Sequence, residues 1–206
     1  TNQAPRQFTK GELGEEFDLS LELKLVSDIG FVGFPNAGKS TLLNALTAAR
    51  SRVGDYPFTT LAPHLGVIPG DPALVLADIP GIIEGAHTGT GLGIQFLRHI
   101  SRSFCLLFMV SFDRTQDLSR QYGILIEEVR QYDRSLLDRP RMIVVNKADL
   151  LNDDEEIWTA EWEHFKKTHP QAILISAKEE KGLAELIAQI RQLLHPHLEN
   201  RSRLAS

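Results

Sequence analysis

The sequence predicts an α/β fold, a mostly parallel six-stranded sheet with helices on both faces. Three observations carry that expectation. Short apolar runs alternate with longer amphipathic stretches along the chain. Four of the runs are nearly continuous in apolar residues, as strands covered on both faces are. The longest run, Phe104–Phe112, is strand-sized and far short of the roughly 18 residues of a membrane span. A chain of 206 residues then accommodates one domain with a short appendage.

Residues 1–23 stand outside the alternation. Gly11, Gly14 and the acidic pair Glu15-Glu16 predict a loop or the tail of a preceding domain, and Thr1 in place of Met predicts a fragment of a longer protein. The domain proper is expected over 24–195. Its strands are expected at Ile29–Phe34, Leu65–Pro69, Leu74–Ile79, Cys105–Phe112, Met142–Asn146 and Ala172–Ser176. Its helices are expected at Lys39–Ala49, Gly93–Arg102, Asp117–Leu137 and Asp154–His169. In the last helix Leu183, Leu186, Ile187, Ile190, Leu193 and Leu194 recur at three- and four-residue spacing. Gly182 marks its start and His195-Pro196 its stop, which leaves 196–206 as a polar tail.

The net charge of -5 argues against a basic nucleic-acid-binding surface over the whole chain. The single cysteine, Cys105, has no partner for an internal disulfide and sits within an apolar run, as a small core residue does. No signal peptide is visible in the polar, acidic first twenty residues, and a cytoplasmic protein is expected.

In a parallel sheet ligands bind beyond the carboxyl ends of the strands, so the chemistry is sought there. The first strand runs into Gly33-Phe34-Pro35-Asn36-Ala37-Gly38-Lys39-Ser40, followed by Thr41. This is G-x-x-x-x-G-K-S between a strand and a helix. Its glycines let successive amides point inward; with the helix N-terminus and the Lys39 ammonium they face polyphosphate. The Ser40 hydroxyl is placed to ligate Mg²⁺. By itself the motif specifies a nucleoside triphosphate and no particular base.

Base identity comes from two further strand ends. Asn146-Lys147-Ala148-Asp149 follows one strand and Ser176-Ala177-Lys178 the next. The Asp149 carboxylate matches the guanine N1–H and N2 amine, which adenine cannot offer. The Lys147 stem suits the base plane with its ammonium towards the phosphate loop. Asn146 is placed to tie the two loops together, and the Ala177 amide to donate to guanine O6.

Two segments have the character of switches. Asp78-Ile79-Pro80-Gly81 ends a strand, where the carboxylate can hold Mg²⁺ through water and the Gly81 amide can touch a γ-phosphate. Tyr56-Pro57-Phe58-Thr59-Thr60-Leu61, with Ala62 after it, offers two adjacent threonines for Mg²⁺ and the γ-phosphate. Both threonines fit on the residues alone. The glycine-rich stretch from Ile82 to Gly93 is expected to respond to nucleotide.

On these residues the chain resembles the Obg family of bacterial GTPases, P-loop proteins with a Ras-like G domain. The resemblance covers about residues 4–195. It rests on Leu21–Leu25 leading to the phosphate loop, on Tyr56–Leu61 and on Asp78–Gly81. Most specific are Ile83-Glu84-Gly85-Ala86-His87, Gly89, Gly91-Leu92-Gly93 and Gln95-Phe96-Leu97-Arg98-His99-Ile100. It implies GTP and GDP as ligands, Thr60 as the switch threonine, and a role in large ribosomal subunit maturation and the stress response. It also implies that ribosome contact resides largely in an N-terminal domain whose end is residues 4–20. A monomer with no membrane association is expected.

Many relatives place a glutamine after the glycine of D-x-x-G to orient the attacking water. Here that residue is Ile82, so slow intrinsic hydrolysis is expected. Lys39, Thr60 and Gly81 remain the catalytic candidates, with three sources of further help open. One is Glu84 or His87 in the same loop. Another is Asn36, which in potassium-activated GTPases of similar loop sequence helps hold K⁺ near the phosphates. The third is a group from a partner, in which case the chain serves chiefly as a nucleotide-sensing assembly module.

Overall fold

The computed structural model describes residues 27–47, 52–53, 64–78, 102–113, 115–152 and 155–205, with positions 11, 14, 16 and 17. Seven strands form one sheet: β1 (Ser27–Gly33), β2 (Arg52–Val53), β3 (His64–Ile68), β4 (Leu74–Asp78), β5 (Ser103–Ser111), β6 (Arg141–Asn146) and β7 (Ile173–Leu174). Their spatial order is β2-β3-β4-β1-β5-β6-β7. Pairs β4-β1-β5-β6-β7 are parallel, and β2-β3-β4 are antiparallel. The six expected strands are all present. The seventh, β2, is too short for its pattern to be read from the sequence.

The central strands are apolar throughout because both faces are covered. Side chains alternate between two cores at a period of two. Phe31, Leu107 and Met109 face α1 (Lys39–Leu46) and α4 (Leu183–Ala205), against Leu42, Leu43, Leu186, Ile190 and Leu194. Val32, Leu106, Phe108 and Val110 face α2 (Leu118–Tyr132) and α3 (Glu155–Thr168), against Leu125, Val129, Trp158 and Phe165. Cys105 is fully buried in the first core, and burial pushes its thiol up to about 12, so it stays protonated as a small apolar residue.

Helix limits follow local chemistry. The Asp117 side chain accepts the Arg120 N–H and starts α2. Glu161 of α3 accepts the Leu118 N–H at 2.6 Å, tying the two helices together. The predicted helix to Leu137 is broken at Asp133, whose extended backbone and side chain start a separate 3-10 turn, Arg134–Asp138. The first helix ends at Leu46 rather than Ala49, because Thr47 is extended. The predicted helix Gly93–Arg102 lies outside the described residues, Arg102 excepted.

The stop expected at His195-Pro196 is corrected by the structure. The last helix continues to Ala205 with Pro196 inside it. Proline removes one N–H, here the one that would reach the Gln192 carbonyl, and this ordinarily breaks a helix. The residues beyond compensate by packing. Leu198 is buried in the first core. The His197 ring stacks on Phe104 with centroids 3.9 Å apart, and its Nε2 lies 3.3 Å from Asp28 Oδ1.

If that packing holds the helix past the proline, Leu198→Ala should cost about 2–4 kcal/mol in urea unfolding, as core leucine truncations do. A polar tail from residue 196 would instead leave the midpoint unchanged.

Candidate functional site

The chain leaves β1 at Gly33, where β1 leads to α1 on one face of the sheet and the neighbouring β5 to α2 on the other, and turns into the loop Phe34–Gly38. Gly33 is required by close approach: a Cβ there would sit 2.7 Å from the Met109 carbonyl oxygen. Gly38 is required by conformation, with φ of 97° in the left-handed region. The loop also holds Asn36 at φ 63°. Its curl is closed by the Ala37 N–H donating to the Phe34 carbonyl at 3.3 Å.

No side chain caps α1 at Gly38. The first-turn amides of Lys39, Ser40 and Thr41 therefore have no partner within the helix and face outward as an anion cradle. Lys39 is buried, and its ammonium donates to the Gly33 and Phe34 carbonyls, each at 2.9 Å. Burial holds this ammonium below the ordinary lysine range, and the Asp78 carboxylate acts in the opposite direction.

Asp78 ends β4 and is 3% exposed. Its Oδ2 accepts the Ser40 hydroxyl at 2.5 Å. Its Oδ1 is buried without a hydrogen-bond partner among the described residues. An orphaned anionic oxygen beside a hydroxyl is costly unless a cation completes it. The two residues nominated for Mg²⁺ are thus in direct contact, and their donor set of hard oxygens fits that ion.

The other half of the site is built on the ends of β6 and β7. Asn146, 3% exposed, uses both ends of its carboxamide: Nδ2 donates to the Ala37 carbonyl at 2.8 Å, and Oδ1 accepts the Ala177 N–H at 3.0 Å. It therefore ties the phosphate loop to both other loops, one link more than the sequence predicts, and it takes the Ala177 N–H that was expected to face guanine O6. Lys147 follows at φ 66°, and it lines a cavity of about 170 Å³ together with Pro35, Asn36 and Asp113. A short 3-10 turn, Ala148–Asn152, carries Asp149. The Ser176 hydroxyl donates to Asp149 Oδ1 at 2.7 Å, which fixes the carboxylate and leaves Oδ2 directed to the exposed Lys178, 4.0 Å away. Ser176 also pairs with Lys181 through both backbone groups, closing the turn that presents Ala177 and Lys178.

Gly33 through Thr41, Asp78, Asn146, Lys147, Asp149 and Ser176–Lys178 thus gather at one end of the sheet. Phe58, Thr59, Thr60, Leu61 and Ala62, and Ile79, Pro80 and Gly81, lie outside the described residues, as do Ile82, Glu84 and His87. The sequence reading passed over Ser111 and Gln121, which border the cavity beside Lys147. A polar Gln121 at helical spacing from Leu118, Leu125 and Val129 was the available signal.

Comparison with known proteins agrees with this geometry. Residues 28–147 match the family model described as 50S ribosome-binding GTPase. GTPase Obg of Chlorobaculum tepidum is 54% identical over 156 residues, 75% of this chain and 46% of that protein. GTPase Obg of Amoebophilus asiaticus is 45% identical over 204 residues, 97% of this chain and 59% of that protein. The chain spans about half the length of the curated relatives it matches. Among solved structures, a variant of Aquifex aeolicus Era bound to GDP.AlF4- aligns with a TM-score of 0.58 at 27% identity, over 80% of this chain and 56% of that one. The G domain of the T. maritima FeoB iron transporter aligns at 0.60 over 80% of this chain and 96% of that one; at 19% identity it speaks to the fold alone. No helix among the described residues is long and apolar enough to cross a membrane.

Replacing Asn146 by alanine strands two buried backbone groups, the Ala37 carbonyl and the Ala177 N–H. Asn146→Ala should therefore lose about 2 kcal/mol or more in urea unfolding without ligand, at the usual cost of unpaired buried groups. A wild-type midpoint would show that the three loops hold themselves.

Proposed function

The chain belongs to the Obg family of GTPases, and from that membership we propose that it binds GTP and GDP and hydrolyses GTP slowly, as a molecular switch. The observation that carries this reading is the Asn146 carboxamide joining the phosphate loop to the base-reading loops. A site with that link recognises both ends of one nucleotide.

In this reading the first-turn amides of α1 and the Lys39 ammonium bind the β- and γ-phosphates. Lys39 exchanges the Gly33 and Phe34 carbonyls for phosphate oxygens, a swap that needs little movement of the side chain. The Asp149 carboxylate accepts from guanine N1–H and the N2 amine, the Ser176 hydroxyl fixing its orientation. The Lys147 stem covers the base, and the Ala177 N–H, already given to Asn146 Oδ1, serves the link between the loops in place of O6. Ser40 and Asp78 would hold Mg²⁺, with Thr60 of the first switch segment; the ion supplies charge neutralisation at the phosphates. The Gly81 amide senses the γ-phosphate. Ile82 stands where a water-orienting glutamine would act, so the chain's own groups provide binding and electrostatic stabilisation with no side chain at that position to orient water.

The family-model description supports a large ribosomal subunit as the partner of the whole protein; a part in subunit assembly and the stress response, and a monomeric, cytoplasmic chain, complete the proposal. The absence of the glutamine favours a second form of the same reading, in which hydrolysis is a reset triggered by a partner and the output is the nucleotide-dependent shape.

Two outcomes test the proposal. Asp149→Asn should weaken GTP binding by about 10²-fold or more and favour xanthosine triphosphate, whose C2 oxygen suits an amide donor. Unchanged GTP affinity would remove the base-reading role. Single-turnover hydrolysis compared in potassium and sodium chloride should be faster in potassium, and Asn36→Ala should abolish the difference. Equal slow rates in both salts would reject Asn36 and assign the missing help to a partner.

A further inference from the structure

β1 ends at Gly33, opposite Met109 of β5, and the chain departs there into the phosphate loop. β5 runs on for two more residues to Ser111. On its other side β6 is still present: Ser111 lies opposite Asn146, and the Phe112 N–H reaches the Asn146 carbonyl at 3.5 Å. Successive strand residues direct their backbone groups to alternate sides. The N–H and C=O of Ser111 therefore point to the side that β1 has vacated. Ser111 is buried, so both groups need partners.

The Gln121 carboxamide fills that place. Its Oε1 accepts the Ser111 N–H at 3.1 Å and its Nε2 donates to the Ser111 carbonyl at 2.8 Å. The second Nε2 hydrogen goes to the Gln116 carbonyl, also at 2.8 Å. A carboxamide carries the same donor and acceptor as a peptide unit, so one side chain supplies the rung a continuing strand would have made. Gln121 is 4% exposed on the buried face of α2, beside Leu118, Leu125, Glu128 and Val129. A polar group there is tolerated only because it is satisfied.

We infer that Gln121 is a positioning residue for the guanine nucleotide: by standing in for β1 beyond Gly33 it fixes the end of β5 against Asn146 and Lys147, from which Asp149 is hung. The inference rests on the guanine-nucleotide reading above and adds the element that keeps the base-reading loop in register with the phosphate loop. It gives α2, which contributes none of the nucleotide-contacting residues, a direct hold on the site.

The test is the release rate of fluorescently labelled GDP, and the affinity ratio of GDP to IDP, which lacks the N2 amine read by Asp149. Gln121→Met keeps the volume and removes the amide. It should release GDP about tenfold faster, in line with losing one buried polar contact, and narrow the GDP-to-IDP ratio. Ile190→Val in α4, away from the site, controls for general loss of stability and should change neither. A Gln121→Met protein that is merely less stable, with wild-type release and discrimination, overturns the inference. Should Gln121→Met not fold, amide exchange on the wild-type protein decides: the Ser111 N–H should be protected like Phe108 in mid-strand, and exchange at the rate of a frayed strand end overturns the inference. Wild-type protein that fails to retain GDP overturns the guanine-nucleotide reading as well, which separates the two failures.

Discussion

The site depends on one buried side chain. Among the described residues, Asn146 is the group that touches all three loops at the carboxyl end of the sheet, through the Ala37 carbonyl and the Ala177 N–H. Each loop has local reasons for its shape: the phosphate loop has Gly38 in the left-handed region, and the Ser176 turn has its own backbone pairing. None of those reasons fixes the distance between loops. Asn146 does, because the donor NH2 and the acceptor oxygen of a carboxamide sit at opposite ends of one rigid planar group. It also forbids a side chain at Gly38, where a Cβ would come within 2.2 Å of Asn146 Nδ2. The glycine that the backbone angle demands is therefore demanded a second time by packing.

The sheet supplies the frame on which that link is accurate. β5 is buried along nearly its whole length and pairs in parallel with β1 on one side and β6 on the other. Gly33 and Asn146, the residues from which the phosphate and base loops depart, are both registered against its last three residues. Errors in their relative position would require β5 to bend within two packed cores, which close packing resists. A short hydrogen-bonded reach from Asn146 is then enough to join the loops.

Much of this was legible in the sequence, for physical reasons. The strands read well because a doubly covered strand is apolar at every position, and the phosphate loop reads well because its backbone curl admits few residues. The links between elements read less well. That Asn146 bonds the Ala37 carbonyl follows from its type and place, whereas its bond to Ala177 depends on how β7 sits beside β6. Pro196 misled because its local effect on a helix is adverse, and what overrides it is tertiary: Leu198 in the core and His197 between Phe104 and Asp28. Asp133 is the opposite case, a break hidden inside an apolar pattern that continues through Leu136 and Leu137. Periodicity records which face is buried, and it is silent on where the backbone changes its hydrogen bonding.

The phosphate half of the site carries opposed charges close together before any ligand arrives. Lys39 is buried and its ammonium is already below the usual lysine range, held by two carbonyls that neutralise no charge. Asp78 is buried with one oxygen on Ser40 and the other without a hydrogen-bond partner among the described residues. An anion entering beside Lys39 and a cation entering beside Asp78 each relieve a desolvated charge, and each favours the other. Either alone leaves a buried ion poorly compensated. On the proposed reading, a polyphosphate with its divalent cation would bring both signs at once.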